Sequence, residues 1–244
     1  MPSIRWNRKW GSGYDWPSHG DEWSGQAEYC GQPYEAWKAS VVEHFIHPNL
    51  PRGGSALEIA CGHGRWSEIL IERAERVVLV DLNPECVEHC RERFAPYEGV
   101  EYLVNDGATI PVEEPASLDF IWSYDAFVHM EADVIGTYLK EIARLLRPAG
   151  RAVIHHAGRR HSMLPLSFLA RYGRPGKWLY RLLSMKRDTA GGSDGDRGMI
   201  SARVVRRLAE DAGLTVLFQK DAWGGDGEFD CRRFNDVITG LALR

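Results

Sequence analysis

The chain has 244 residues, 44% hydrophobic and 26% charged, which is enough to bury the core of one globular domain. A net charge of −4 and a pI near 6.1 exclude the overall basic field of a general nucleic-acid binder. No apolar run approaches the roughly 18 residues of a membrane span, and the N-terminus, MPSIRWNRKWGSGYDW, lacks the apolar core of a secretion signal. Five irregularly spaced cysteines, Cys30, Cys61, Cys86, Cys90 and Cys231, then read as reduced thiols of a cytoplasmic protein. Cys86, His89 and Cys90 have no second Cys/His pair, so helix packing is expected there and no metal.

Residues 1–50 form an aromatic-rich segment: Trp, Gly and Ser dominate up to position 34, and a helix follows over 34–46, stopped by Pro48. From residue 51 to 244, strands and helices alternate. SALEIA (55–60), RVVLV (76–80), VEYLV (100–104), LDFIWS (118–123) and RAVIHH (151–156) read as buried strands. Helices are expected over 65–74, over 84–94 with Pro84 at the start, and where Ile135, Tyr138, Leu139, Ile142, Leu145 and Leu146 share one face. A last helix spans 201–213, with Ser201 as N-cap and Gly213 just past its end. LTVLFQK (214–220) and FNDVITGLAL (234–243) follow with no helix between them, so they pair antiparallel. Residues 158–198 break the alternation and read as a substrate-covering insertion with a helix near 164–185. Near-continuous apolar strands imply a mostly parallel sheet covered by helices on both faces.

The first strand runs into ALEIACGHGRW. Gly62 and Gly64 permit a tight turn and close approach of backbone to a ligand. Asp81 ends the second strand, where an acid accepts from ribose hydroxyls. Position 67 is serine, so the third glycine of a dinucleotide fingerprint is missing. Glu58 precedes the turn and suits the ammonium of a methionine moiety better than a pyrophosphate. Asp106-Gly107 follows the third strand, where an acid can meet an adenine amino group. Carboxylates at three successive strand ends imply a ligand with cationic and hydroxyl groups and no phosphate.

With ALEIACGHG, VDLN, NDG and SLDFIWS in this order, the sequence resembles the class I S-adenosylmethionine-dependent methyltransferases over residues 53–156. The resemblance implies a Rossmann-like α/β fold with strand order 3-2-1-4-5-7-6 and strand 7 antiparallel. It also implies S-adenosylmethionine as cofactor, leaving as S-adenosylhomocysteine. The cofactor residues it implies are Glu58, Ala60, Gly62, Gly64, Arg65, Asp81, Leu82, Asp106, Gly107 and Ser123, with Tyr14 and Trp23 closing over them. EIACGHGRWS, WSYDAFVHM and IHHAG are similar to antibiotic-pathway enzymes that methylate sugars and aminoglycosides.

Methyl transfer to an amine or hydroxyl requires alignment and removal of a proton. Candidate groups follow the fourth strand, at Tyr124, Asp125 and His129, and end the fifth, at His155 and His156. The two histidines alternate across the strand, so they point to opposite faces; His156 is taken as the candidate beside Tyr124, Asp125 and His129. The loop DAWGGDGEFD (221–230) carries Asp221, Asp226, Glu228 and Asp230 with no basic residue, which favours a cationic acceptor such as an amino sugar. Arg159, Arg160, Arg171, Arg174, Lys177, Arg181, Lys186 and Arg187 instead suit an anion such as a nucleotide-linked sugar. Neither a nucleic acid nor a membrane is an expected partner. The rivals are an NAD(P) reductase, which needs the missing glycine, and a nucleic-acid methyltransferase, which for base amines carries an Asn/Asp-Pro-Pro-Tyr/Phe run where this chain has SYDAF. A non-catalytic S-adenosylmethionine binder differs only in turnover.

Overall fold

The computed structural model describes residues 14, 16, 25–158, 173, 175, 200–232 and 235–244. Six α-helices are defined among them: α1 (Gly25–Cys30), α2 (Tyr34–Val41, continued by a π-helical turn over Val42–Ile46), α3 (Ser67–Ile71), α4 (Pro84–Arg93), α5 (Ala132–Leu145) and α6 (Ala202–Asp211). The strands are β1 (Ser55–Ile59), β2 (Arg76–Asp81), β3 (Val100–Val104), β4 (Leu118–Phe127), β5 (Leu146–Ala157), β6 (Leu214–Lys220), β7 (Ala222–Trp223), β8 (Phe229–Asp230) and β9 (Asp236–Leu243).

Seven strands form one sheet in the order β3-β2-β1-β4-β5-β9-β6, parallel except for β9, which is antiparallel to both neighbours. This is the expected order, with β9 as the seventh strand of the sheet. The loop before it adds a small ribbon, β7 with β8. Because β9 reverses between β5 and β6, that ribbon lies at the same carboxyl edge as the ends of β1, β4 and β5.

Alternation sorts the strands' side chains onto two faces. Leu57, Ile59, Val78, Val80, Ile121 and Ile154 pack beneath α5, whose buried stripe is Val134, Ile135, Tyr138, Leu139, Ile142 and Leu145. Ala56, Val77, Leu79, Phe120, Trp122, Tyr124 and Val153 pack on the other face with Trp37, Val41, Phe45, Trp66 and Leu70. Cys86 and Cys90 are fully buried along α4.

Four of the boundary differences from the sequence reading shape the site. α3 begins at Ser67, not 65, because the turn around Gly62 and Gly64, both at positive φ, delays the helix. β9 begins two residues late, after Asn235 at φ 55°. β5 extends back through Pro148 and Gly150, directly from the end of α5. β4 extends to Phe127 through a bulge: between its pairings Ser123↔Ile154 and Phe127↔His156 it advances four residues while β5 advances two. Such irregularities re-aim side chains at sheet rims, and here Asp125 sits within the bulge at φ 61°. Ser201 caps α6 through the Val204 N–H, and Gly213 follows its end at φ 83°. The helix expected near 164–185 and the insertion's tail lie outside the described residues.

Candidate active site

The turn after β1 is built on positive-φ backbone at Ala60 (61°), Gly62 (55°) and Gly64 (92°). Asp81 at the end of β2 holds it: the Gly62 N–H donates to Asp81 Oδ2 at 3.0 Å, and the Asn83 N–H to Oδ1 at 2.8 Å. Burial pushes the Asp81 carboxyl up, against the lowering effect of these donors. A Cβ at Gly62 would lie 2.7 Å from the Trp16 indole, and one at Gly64 would lie 2.6 Å from the Phe94 ring. Both glycines are therefore required by close approach as well as by backbone angle.

Trp16 covers this turn. Its ring stacks on His63 at 4.4 Å, and His63 stacks in turn on His89 at 3.8 Å. Burial, with His89 and Arg93 nearby, pushes the His63 imidazole down to about 4. Tyr14 meets Trp16 edge-on at 5.2 Å and Trp23 lies outside the described residues, so among the described residues of the N-terminal segment Trp16 is the aromatic one placed against the turn. The aromatic richness of the segment was visible in the sequence; which ring touches the turn depends on three-dimensional placement.

Glu58 lies below the turn, fully buried, and accepts from the Ser67 hydroxyl at 2.5 Å. Burial pushes its carboxyl up to about 8. It ties β1 to α3, because side-chain alternation turns position 58 into the layer beneath α3. Ser123 is also inward, its hydroxyl donating to the Ile59 carbonyl at 2.8 Å, and Leu82 is buried. Asp106 stands exposed after β3, where its Oδ1 accepts from the N–H groups of Thr109 (2.7 Å) and Ala108 (2.9 Å), which hold its carboxyl below the usual range. The adjacent Gly107, at φ 87°, donates to Asn105 Oδ1.

Beyond β4 the bulge gathers a chain of charge. Arg65 Nη2 donates to Asp125 Oδ2 at 2.7 Å. The Asp125 backbone N–H donates to His155 Nδ1 at 3.2 Å, the other Asp125 oxygen lies at the same distance from that nitrogen, and His155 Nε2 lies 3.4 Å from Asp236 Oδ2. Side chains of His155 and Asp236 are wholly buried, that of Arg65 is 10% exposed and that of Asp125 is 23% exposed. Burial alone would push the His155 imidazole down, but hydrogen bonds to Asp125, Asp236 and Cys231 hold it well above its ordinary range. Tyr124 stacks on the same imidazole at 4.2 Å, and burial pushes its phenol well up. Arg65 also leans over the Trp66 and Tyr124 rings, and its Nη1 is buried with no hydrogen-bond partner among the described residues.

The other sequence candidates sit apart from this chain of contacts. His156 points to the opposite side of the sheet, where Nε2 lies 2.7 Å from Thr239 Oγ1 and Nδ1 2.9 Å from the Ala157 carbonyl; burial pushes it down to about 4. His129 occupies the turn between β4 and α5, its amide donating to Ala126. The alternation that separates 155 from 156 was legible, and the Tyr124 face identifies His155. Asp236 was not, since only the β5–β9 register brings it to His155. Asp226 and Glu228 are exposed on the β7–β8 tip, while Asp221 pairs with Arg232 at 3.4 Å. A cavity of about 430 Å³ opens at this end of the sheet, lined by Lys220, Asp221, Arg232, Asn235 and Asp236 among others.

Residues 56–150 match the family model of a methyltransferase domain. Among similar proteins, the 2-phytyl-1,4-naphtoquinone methyltransferase of Thermosynechococcus vestitus is 29% identical over 124 residues, covering 50% of this chain and 52% of that protein. A putative methyltransferase of Bacillus subtilis is 27% identical over 120 residues, covering 48% and 46%. The chain thus spans about half the length of these relatives. In fold it is similar to the geranyl diphosphate C-methyltransferase of Streptomyces coelicolor, solved with S-adenosyl-L-homocysteine (TM-score 0.62, 17% identity, 100% of this chain and 99% of that one). It is also similar to an S-adenosylmethionine-dependent methyltransferase of Clostridium acetobutylicum (TM-score 0.61, 14% identity, 90% and 96%). The sheet thus has the fold of these methyltransferase structures, and residues 56–150 resemble a methyltransferase domain.

Proposed function

We propose that the chain transfers a methyl group from S-adenosylmethionine to an amine or hydroxyl of a small, sugar-like acceptor, with an amino sugar as the preferred class. The observation that carries this reading is the pairing of Arg65 with Asp125, which joins the glycine turn to the acidic end of β4. The cradle fits the cofactor: positive-φ backbone admits close approach, Asp81 and Asp106 supply acids at successive strand ends, and Arg65 Nη1 is a buried donor with an open valence. Gly62, Gly64, Arg65, Asp81, Asp106 and Gly107 would hold it, with Trp16 as cover. When bound, S-adenosylmethionine supplies an electrophilic methyl group.

The remaining work falls to the chain. Asp125, the partly exposed member of the charge chain, faces the acceptor as a carboxylate and orients its N–H or O–H group. Arg65 and His155 flank that carboxylate, so its role is to bind and align the acceptor. An amine acceptor therefore arrives deprotonated. Carboxylates at this end, Asp125, Asp221, Asp226 and Glu228, favour a cationic acceptor. Incubation with S-adenosylmethionine and a panel of amino, neutral and nucleotide-linked sugars tests the reading through a mass gain of one methyl. Cofactor binding by calorimetry with no methylated product from any acceptor would favour a non-catalytic binder.

A further inference from the structure

Position 105 is asparagine, and its side chain is engaged at both ends of its amide within the loop that follows β3. Nδ2 donates to the Thr109 carbonyl and to the Tyr138 hydroxyl, both at 2.9 Å, and Oδ1 accepts from the Gly107 N–H at 3.2 Å. An amide side chain has two N–H donors and one carbonyl, so these three bonds fix its orientation. The Asn105 backbone N–H donates to the Asp81 carbonyl at 2.9 Å, which carries the β2–β3 ladder up to the residue that holds the glycine turn. The next residue is Asp106.

Three side chains of α5, spaced three residues apart along one edge of the helix, grip this loop. Tyr138 takes Asn105 at the near end. At the far end, Glu141 Oε2 accepts from the Ile110 N–H at 3.3 Å, and Arg144 donates to the carbonyls of Ile110 (3.1 Å) and Val112 (2.9 Å). Tyr138 is 2% exposed, its ring packed against Phe127 at 5.4 Å, so its hydroxyl is a fixed point of the core. Asp106 places Oδ1 on the N–H groups of Ala108 and Thr109, at 2.9 and 2.7 Å. Both backbone donors fall on that one oxygen, and the side chain as a whole stands exposed.

We propose that Tyr138 is a positioning residue for cofactor selection, acting through Asn105 to hold Asp106 where its carboxylate accepts from the exocyclic amino group of adenine and turns away a base with a carbonyl there. The proposal rests on the reading of Asp106 as the acid that meets the adenine ring. A carboxylate is an acceptor only. Against an amino group it gains a charge-assisted hydrogen bond; against a carbonyl oxygen, two sets of lone pairs oppose each other. Such discrimination requires the oxygen to be held in place, because a loop free to swing carries it away from the wrong base. Glu141 and Arg144 hold the loop from Ile110 onward, so the contact between Asn105 and Tyr138 is the one that ties the Asp106 end to the helix.

The test uses the full chain, with S-adenosylhomocysteine and its inosine counterpart as non-reacting probes, read by calorimetry. The wild type should bind the adenosyl probe roughly 10- to 100-fold more tightly, the range for a hydrogen bond to a charged group. Tyr138→Phe keeps the packed ring and removes only the hydroxyl. It should bring that ratio down toward one, chiefly by weakening the adenosyl probe. Asn105→Ala should lower the ratio as well, and the double variant should be no worse than Asn105→Ala alone, because both changes break one contact. A wild type that discriminates while Tyr138→Phe discriminates equally, its two affinities unchanged or weakened alike, overturns the proposal alone: the tyrosine is then structural. Additive losses in the double variant overturn the route through Asn105. A wild type that binds both probes equally, or neither, overturns the reading of Asp106 and the proposal with it. If Tyr138→Phe does not fold, the ratio in Asn105→Ala decides.

Discussion

Asp125 is bonded to Arg65 across 60 residues of sequence, at 2.7 Å, so the residue that follows the glycine turn also anchors the end of β4. The pair is more than a surface bridge. Arg65 is nine-tenths buried, and a buried cation that loses its partner is destabilising. Asp125→Asn should therefore lower turnover by roughly 10²–10⁴-fold if Asp125 aligns the acceptor, and should also lower the midpoint of thermal unfolding. Asp125→Glu should restore part of the stability but little turnover, because the longer chain moves the carboxylate off the bulge. Near-wild-type turnover in Asp125→Asn would remove this residue from the reaction.

The Gly62–Asp81 bond gives a prediction for the cofactor. Asp81→Ala removes the acceptor of the Gly62 N–H and the Asn83 N–H together, leaving both without their buried partner. The affinity for S-adenosylmethionine should weaken by roughly 1.5–3 kcal/mol, the range for hydrogen bonds to a charged group. Isothermal titration calorimetry checks this, and unchanged affinity would show that the turn keeps its shape without Asp81. Gly64→Ala should be worse than Gly62→Ala for folding. Its Cβ would collide with Phe94, which is buried, whereas the collision at Gly62 is with the far edge of the Trp16 indole.

The strand order, the two-glycine turn and the acids at the ends of β2 and β3 were legible because they depend on local pattern: buried β-branched runs, a turn that needs positive φ, and carboxylates at strand ends. The direction in which a side chain points was less so. Glu58 and Ser123 sit in the motif at the positions expected of cofactor residues, yet alternation carries both inward, one to Ser67 and the other to the Ile59 carbonyl. The β4 bulge was invisible, since nothing in SYDAF announces two extra residues relative to β5. That bulge decides where Asp125 aims. Asp236 was unreadable for a different reason: its contact with His155 is made by strand pairing between segments about eighty residues apart.

Two buried titrating groups give the protein a pH signature with opposing slopes. Glu58 has its carboxyl raised to about 8 from 4.5, so the folded state keeps a proton that the unfolded chain releases. Stability from this group is complete below about pH 4.5 and is lost as the pH rises toward 8. His156 is depressed to about 4 from 6.5, so the unfolded chain binds the extra proton; its stability is present above about 6.5 and lost as the pH falls through 4. Between about 4.5 and 6.5 the two slopes oppose each other, and above 6.5 only that of Glu58 remains. Glu58→Gln should thus gain on the wild type progressively from pH 4.5 to 8 in urea unfolding. A constant difference across that range would mean that Glu58 is ionised in the folded protein.

The acceptor's charge gives the last prediction. Asp226 and Glu228 sit exposed at the tip of the β7–β8 ribbon, on the carboxyl edge that holds Asp125. Exposed carboxylates contribute little singly, roughly 0.2–1 kcal/mol per ion pair, and act over a Debye length of about 8 Å at physiological salt. Their expected effect is on capture of a cationic acceptor, so Asp226→Asn/Glu228→Gln should raise KM for an amino sugar by a few-fold and leave kcat nearly unchanged. The same KM should rise with salt in the wild type and rise less in the double variant. An amine must also be deprotonated before attack. Turnover should therefore climb from neutral toward mildly alkaline pH with an amine acceptor. With a hydroxyl acceptor that rise would be absent. The measurement is an acceptor panel at two salt concentrations and a series of pH values, read by mass. If neutral or anionic sugars are methylated better than cationic ones, and the double variant matches the wild type for all of them, the ribbon's acids have no part in selection and the amino-sugar reading falls.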